Sequence, residues 1–207
     1  MTVAQERIPD NWKSSILPPV LKGQGDPIEC GSYRAIKLLE HAMKVIERIE
    51  RVFERRIRQK VKIDAMQCGF MPGEGTTDAI FTVWQKQEKY GCKGKKLYFA
   101  FVDLHKAFDR VRREVTRWAL RKAGVEEWLD KAIMVMYEGA QTVVRTTEGD
   151  SKVFNVKVGL HQGSVLSPLL FVIVMEMISR DLRAGLPLEL LYADDLIFMA
   201  ESEESLR

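Results

Sequence analysis

The chain has 207 residues, 46% of them hydrophobic and 29% charged, a balance that buries the core of one domain or two lobes. A formal net charge of +3 permits a nucleic-acid partner without demanding one. Cys30, Cys68 and Cys92 stand far apart in no ligand spacing, which argues against a disulfide framework or zinc site and predicts reduced thiols in an intracellular setting; no apolar run is long enough to cross a membrane, and the N-terminus lacks a signal-peptide pattern.

Residues 1–37 carry Pro9, Pro18, Pro19 and Pro27 and the turn-forming run Gly23-Gln24-Gly25-Asp26, which predicts extended segments and turns. From Leu38 to about Val61 the pattern becomes helical. Met43, Ile46, Ile49, Val52, Phe53 and Ile57 recur on one face, beside a basic stripe of Arg48, Arg51, Arg55 and Arg58. Gly69 to Gly75 is a glycine-rich loop, and Thr76 or Thr77 can cap a helix through Ile80, Val83, Trp84 and Gln87. Leu97 to Val102 reads as a strand ending at Asp103. Two helices, 112–123 and 126–137, flank Gly124, and Gln141 to Thr146 and Lys152 to Val158 read as a hairpin around Glu148-Gly149-Asp150. Pro168 to Leu182 is apolar almost all round, as in a helix packed under a sheet, and Leu188 to Leu191 and Leu196 to Ala200 form a second hairpin with Asp194 and Asp195 at its tip. This order describes an α+β domain with a largely antiparallel sheet.

Two strand ends can therefore bring Asp103, Asp194 and Asp195 to one place. At an effective dielectric near 20, like charges ~4 Å apart repel by about 4 kcal/mol, so such a cluster calls for bound cations, and paired divalent metals suggest phosphoryl or nucleotidyl transfer. The competing interpretation is a tandem aspartate doing ordinary turn work. Asp109 suits a helix cap better than a metal ligand. The loop Gly159 to Pro168 can admit a flat substrate or serve only as a strand-to-helix turn, with Pro168 at a favourable first helical position. His161 is a candidate base or ligand, or a polar loop residue. Gly69 to Gly75 lacks the Gly-Lys-Ser/Thr ending of a P-loop, which excludes a Walker site. The arginine stripe is a solvated face paired through Glu47 with Arg51 and Glu54 with Arg58, or a nucleic-acid backbone contact.

Five segments in this order resemble the reverse transcriptases of LINE-type retrotransposons, those lacking long terminal repeats. They are Gly31 to Leu39, Gln67 to Gly73, Phe101-Val102-Asp103 through Phe108-Asp109-Arg110-Val111, Gly159 to Pro168, and Tyr192 to Asp195. The resemblance implies a right-hand polymerase with fingers over 1–94, a palm from 95 to 207 with fingers-type helices inserted at about 112–138, and no thumb. It implies that Asp103, Asp194 and the Leu104 carbonyl bind two Mg²⁺, with Mn²⁺ as a substitute, and that Asp195 completes the cluster. Phe108 matches the gate against a ribose 2′-hydroxyl. Gln162 and Gly163 match the lining of the nucleotide pocket, Arg34 and Lys22 the cations on the triphosphate, and Arg48, Arg51, Arg55 and Tyr192 the template and primer contacts. The implied partners are an RNA template, a DNA primer and dNTPs, in the nucleus with a cytoplasmic ribonucleoprotein stage; oligomeric state is not implied.

Glu74 and Gly75 depart from the arginine and serine common after Met-Pro-Gly, His105 replaces the usual glutamate, and the resemblance ends at Arg207, ahead of the family's primer-gripping turn, thumb and endonuclease. Missing palm strands predict an exposed sheet edge. The alternative is a nonenzymatic remnant or nucleic-acid-binding module. A cyclic-dinucleotide synthase on a similar palm is disfavoured because its Gly-Gly-Asp/Glu-Glu-Phe hairpin is absent.

Overall fold

The computed structural model describes residues 9, 13–23, 25–39, 43–183 and 188–206, though not the side chains of 35, 39, 43–47, 181–183 and 188. Gln24 of the predicted turn, residues 40–42 of the predicted first helix, and the side chains of Met43, Ile46, Glu47 and Leu182 thus lie outside it.

Short strands fill the proline-rich N-terminal region. β1 (Ser14–Leu17), β2 (Pro19–Leu21), β3 (Tyr33–Ala35) and β4 (Leu38–Leu39) precede α1 (Met43–Lys60). The helix predicted from Leu38 therefore begins later, because Leu38 and Leu39 instead pair antiparallel with Ile16 and Ser15. α1 turns Ile57 and Glu50 into the interior, and Val61 follows them just beyond its end, while Arg48, Arg51 and Arg55 remain exposed. Of the predicted ion pairs along α1, Glu54 with Arg58 forms at 2.9 Å.

α2 (Thr76–Cys92) begins one residue earlier than a threonine cap requires. Gly75 occupies the cap position, and its N–H donates to the Asp78 carboxylate at 2.7 Å, so Asp78 closes the first turn from inside the helix. β5 (Tyr98–Asp103), α3 (Ala107–Arg110), α4 (Arg113–Lys122) and α5 (Glu127–Tyr137) follow. Gly124 takes φ +80° between α4 and α5, the left-handed conformation that a helix stop favours. Asp109 lies inside α3 and Arg112 holds the cap position of α4, so Asp109 is not a helix cap.

β6 (Gln141–Thr146) pairs antiparallel with β7 (Gly149–Asp150) and β8 (Phe154–Asn155). It also pairs with β1 in parallel, a departure from the largely antiparallel pairing of the named strands. α6 (Ser167–Arg183) buries every residue from Leu169 to Met177 and is the central post of the main core, which also takes Ala119 and Leu120 from α4 and Leu129, Ile133 and Tyr137 from α5. Pro168 sits second in α6 rather than first.

β9 (Leu188–Tyr192) and β10 (Asp195–Ala200) form the C-terminal hairpin, and the three-stranded sheet runs β5-β10-β9. One face of this sheet packs toward Cys68 of the loop before α2 and Ala79 of α2 through Leu190, Met199 and Phe99; Leu196 and Ala193 join the main core. β5 lies at one edge of this sheet, and Phe101 on it is 72% exposed. Among the described residues, no helix is long and apolar enough to cross a membrane.

Candidate active site

The register of β5 and β10 brings the predicted carboxylates together. Asp103, the last residue of β5, lies directly opposite Asp195, the first of β10. Residues opposed across an antiparallel ladder project to the same face, so these side chains share one side of the sheet. Asp194 stands in the turn between β9 and β10, and its carbonyl accepts the Leu104 N–H at 3.4 Å. The Leu104 backbone is thereby held beside the acidic turn.

Partial desolvation, then the Asp194 and Asp103 carboxylates, raise the Asp195 carboxyl above its ordinary value. This is the electrostatic signature of anions in one another's field. Among the described residues, no three carboxylate, imidazole or thiol groups are placed to hold one metal ion together. The donors of the cluster are hard oxygens at a partly solvated strand end, which fits the chemistry of a divalent cation such as Mg²⁺.

The Gly69 loop lies against the Ala193 backbone of the acidic turn, and the backbone after Asp103 bonds to that turn through Leu104. Phe70, Lys106 and Ala193 are the non-glycine residues with positive φ among those described; Ala193 lies in the acidic turn, Lys106 two residues after Leu104, and Phe70 next to Gly69. Strained backbone of this kind persists where surrounding packing over-determines it. Phe108 of α3 stacks on Phe171 of α6 with ring centroids 4.9 Å apart, and meets Phe70 edge-on at 6.1 Å. The loop from Gly159 docks on the same short helix: Leu160 N–H donates to the Phe108 carbonyl at 3.0 Å and Gly159 N–H to the Val111 carbonyl at 2.9 Å. A Cβ on Gly159 would stand 2.8 Å from the Asp109 carbonyl oxygen, so glycine alone permits this approach.

Gln162 Nε2 donates to Asp109 Oδ1 at 2.7 Å, which gives Asp109 the role of fixing that loop. Gly163 takes φ +95° with its Cα face against the Lys37 carbonyl. His161 is buried and is not an exposed loop residue. Its ring lies 4.3 Å from that of Tyr137, and burial first, then Lys37 and Arg113, push it down to about 3, so it is a neutral packing residue at neutral pH. Burial pushes the Tyr137 phenol up to about 12, with its hydroxyl 3.1 Å from that of Ser167.

A sequence profile of the family described as reverse transcriptase (RNA-dependent DNA polymerase) matches residues 20–207. The chain belongs to the reverse transcriptase family. It is 28% identical over 203 residues to a Retrovirus-related Pol polyprotein from the type-1 retrotransposable element R2 of Nasonia vitripennis, a match covering 93% of this chain and 19% of that protein. It is 30% identical over 183 residues to a probable RNA-directed DNA polymerase from transposon X-element of Drosophila melanogaster, covering 82% of this chain and 19% of that one. The chain thus spans about a fifth of the length of these relatives. Telomerase from Candida tropicalis in complex with a fragment of telomeric RNA superposes with a TM-score of 0.66 at 14% identity, over 97% of this chain and 38% of that one, which shows a shared right-hand polymerase fold.

The reverse transcriptase motifs do not all converge. Asp103, Leu104, Asp194 and Asp195 meet, and Phe108, Gln162 and Gly163 lie on loops bound to one another through α3. Tyr192 ends β9 and packs with Leu97 and Phe99 around the second core cluster. Arg34 sits on a separate two-stranded sheet of β2 and β3, exposed opposite Val20, and Lys22 follows the end of β2 with its Nζ donating to the Gly31 carbonyl at 3.0 Å. Arg48, Arg51 and Arg55 line the outer side of α1.

Sequence reasoning missed Glu50. Grouped with Glu47 and Glu54 beside the arginine stripe it reads as part of a solvated face, yet it is 2% exposed, and its carboxylate accepts the Ser164 hydroxyl at 2.9 Å and the Val165 N–H at 3.0 Å. α1 therefore grips the loop ahead of α6. The available signal was Glu50 sharing a face with Phe53 and Ile57, spaced by three and seven residues.

Two outcomes follow from these buried groups. Glu50→Ala should lower unfolding free energy in urea by about 1–3 kcal/mol, because it strands two buried donors, and Glu50→Gln, which keeps an acceptor of the same shape, should lose less. His161 binds fewer protons folded than unfolded between its ordinary value of 6.5 and about 3, so its contribution is present above pH 6.5 and drains away as pH falls. Between pH 6 and 4 the wild type should lose stability faster than His161→Leu, by up to about 1.4 kcal/mol per pH unit in chemical denaturation. Parallel pH profiles would show that His161 takes up a proton in the folded state.

Proposed function

We propose that this chain is the catalytic segment of a retrotransposon RNA-directed DNA polymerase, adding dNTPs to a primer 3′-hydroxyl on an RNA template. The supporting observation is the register that sets Asp195 against Asp103, with Asp194 in the adjoining turn bonded to Leu104. Residues 1–94 would act as fingers and 95–207 as palm, with α4 and α5 as inserted helices of fingers type. Asp103, Asp194 and the Leu104 carbonyl would hold two divalent ions, Mg²⁺ or Mn²⁺ in its place, and Asp195 would complete the anionic surround. Bound there, the ions supply activation of the 3′-hydroxyl and neutralisation of the leaving pyrophosphate.

The protein's own contribution is placement. Phe108, pinned by Phe70 and Phe171, offers a ring edge that cannot yield to a 2′-hydroxyl on an incoming sugar. Gln162 and Gly163 shape the adjoining wall, with the Gln162 amide oriented by Asp109. Arg34 and Lys22 are assigned to the triphosphate, and Arg48, Arg51, Arg55 and Tyr192 to template and primer. Misplacement of any reacting group by about 1 Å can cost on the order of a hundredfold in rate, so the loops serve catalysis as geometry.

A second interpretation, a nonenzymatic nucleic-acid-binding copy, is favoured by Glu74 standing as an anion in the loop before α2. Primer extension on an RNA template with Mg²⁺, by this chain and by a version extended to the span of its relatives, separates the two. Asp194→Ala should lower incorporation by about 10²–10³-fold, the scale of losing one preorganised electrostatic group. Equal extension by Asp194→Ala, or none by the extended wild type, would leave the nonenzymatic interpretation standing. Phe108→Ala should raise ribonucleotide over deoxyribonucleotide incorporation by about tenfold or more. That ratio does not depend on how much enzyme is folded, and an unchanged value removes Phe108 from the gate.

A further inference from the structure

A two-residue turn between antiparallel strands leaves N–H groups that the ladder does not use, and a buried one needs an acceptor. Ala193 is such a residue: it is buried, it holds φ +58°, and β9 and β10 pair on either side of it through Tyr192 and Asp195. Its N–H donates to the side-chain Oε1 of Gln67 at 3.1 Å. Gln67 is 3% exposed and comes from the loop between α1 and α2, 126 residues away in sequence. The same Oε1 accepts the Gly69 N–H at 2.9 Å.

The backbone around this oxygen makes the contact rigid. Residues 66–68 run parallel to β9 as a short added strand, bridging at Gln67 and Leu191. Leu191 N–H donates to the Met66 carbonyl and Cys68 N–H to the Leu191 carbonyl, both at 2.9 Å. Gly69 then lies so close to the turn that an added Cβ would stand 2.1 Å from the Ala193 nitrogen and 2.8 Å from the Tyr192 carbonyl carbon. No side chain can separate the two backbones, and the amide oxygen of Gln67 bonds to both.

We infer that Gln67 is a positioning residue, a latch that fixes the Tyr192–Asp195 turn so that Asp194 and Asp195 stay aligned with Asp103. Left-handed backbone is unfavourable for alanine by roughly 1–2 kcal/mol, so the turn has a standing tendency to relax, and the bond from Ala193 opposes it. Relaxation there moves Asp194, the next residue, directly. Gln67 touches no reacting atom; it acts through the turn. Its consequence for turnover holds only with the polymerase function proposed above, whereas its effect on the turn is independent of that function.

The test compares wild type, Gln67→Met, which keeps the length and removes the acceptor, and Gln67→Glu, which keeps an acceptor for both N–H groups. Amide hydrogen exchange at Ala193 is read by NMR against amides of α6 in the same sample, with Mn²⁺-induced broadening at residues 103, 194 and 195 and thermal melting alongside. Gln67→Met should speed Ala193 exchange relative to α6 by about tenfold, the scale of one hydrogen bond, and weaken the Mn²⁺ response, while Gln67→Glu stays within about threefold of wild type in exchange. Ala193 protection unchanged in Gln67→Met, or lost equally in both variants, overturns the latch. A wild type with no Mn²⁺ response at the three aspartates counts against the polymerase function instead, and the Ala193 exchange then still decides whether Gln67 holds the turn.

Discussion

Three carboxylates forced to one strand end are the constraint around which this molecule is organised. Pairing Asp195 with Asp103 across β5 and β10 places anions side by side, and Asp194 in the turn adds a third. Repulsion on the order of several kcal/mol per close pair cannot be avoided at low dielectric, only shared with solvent or offset by cations. Partial desolvation first, and then the neighbouring Asp194 and Asp103 carboxylates, raise the Asp195 carboxyl.

An arrangement that resists itself needs mechanical support from outside. It comes from apolar packing and from buried side-chain acceptors placed on loops distant in sequence. α6, buried from Leu169 to Met177, is the rigid post, and Phe108 is stacked on it through Phe171. Two carboxyl or amide oxygens then tie loops down: Glu50 holds Ser164 and Val165 at the entry to α6, and Gln67 holds Gly69 and Ala193 beside the acidic turn. A buried acceptor bonded by two donors is expensive to disturb, because breaking it strands both partners. Such contacts rigidify a site without occupying the space where substrate must enter.

Glycine takes a complementary part at two positions. Gly69 and Gly159 each bring backbone against backbone, at Ala193 and Asp109, where any Cβ would collide. A glycine-rich stretch in the sequence signals permission for such an approach but does not say what approaches. For Gly69 the partner is the acidic turn itself, so the loop ahead of α2 belongs to the site and is more than a connector.

Periodicity and turn chemistry by themselves determined the helices α2, α4, α5 and α6 to within a few residues and both C-terminal hairpins, because hydrophobic repeat and turn chemistry are local properties of the chain; that Asp103 could meet Asp194 and Asp195 was an expectation that the β5–β10 register then met. Tertiary structure alone decided the rest. Leu38 and Leu39 became a strand because β1 was there to pair with them, Asp109 became the partner of Gln162 rather than a cap, and His161 became a neutral core ring against Tyr137. Glu50 and Gln67 read as ordinary polar residues in sequence, and only a fold that carries them into the interior gives their oxygens donors more than a hundred residues away. A side chain's polarity is written in its own residue; the burial that turns that polarity into a structural bond depends on what the rest of the chain brings to meet it.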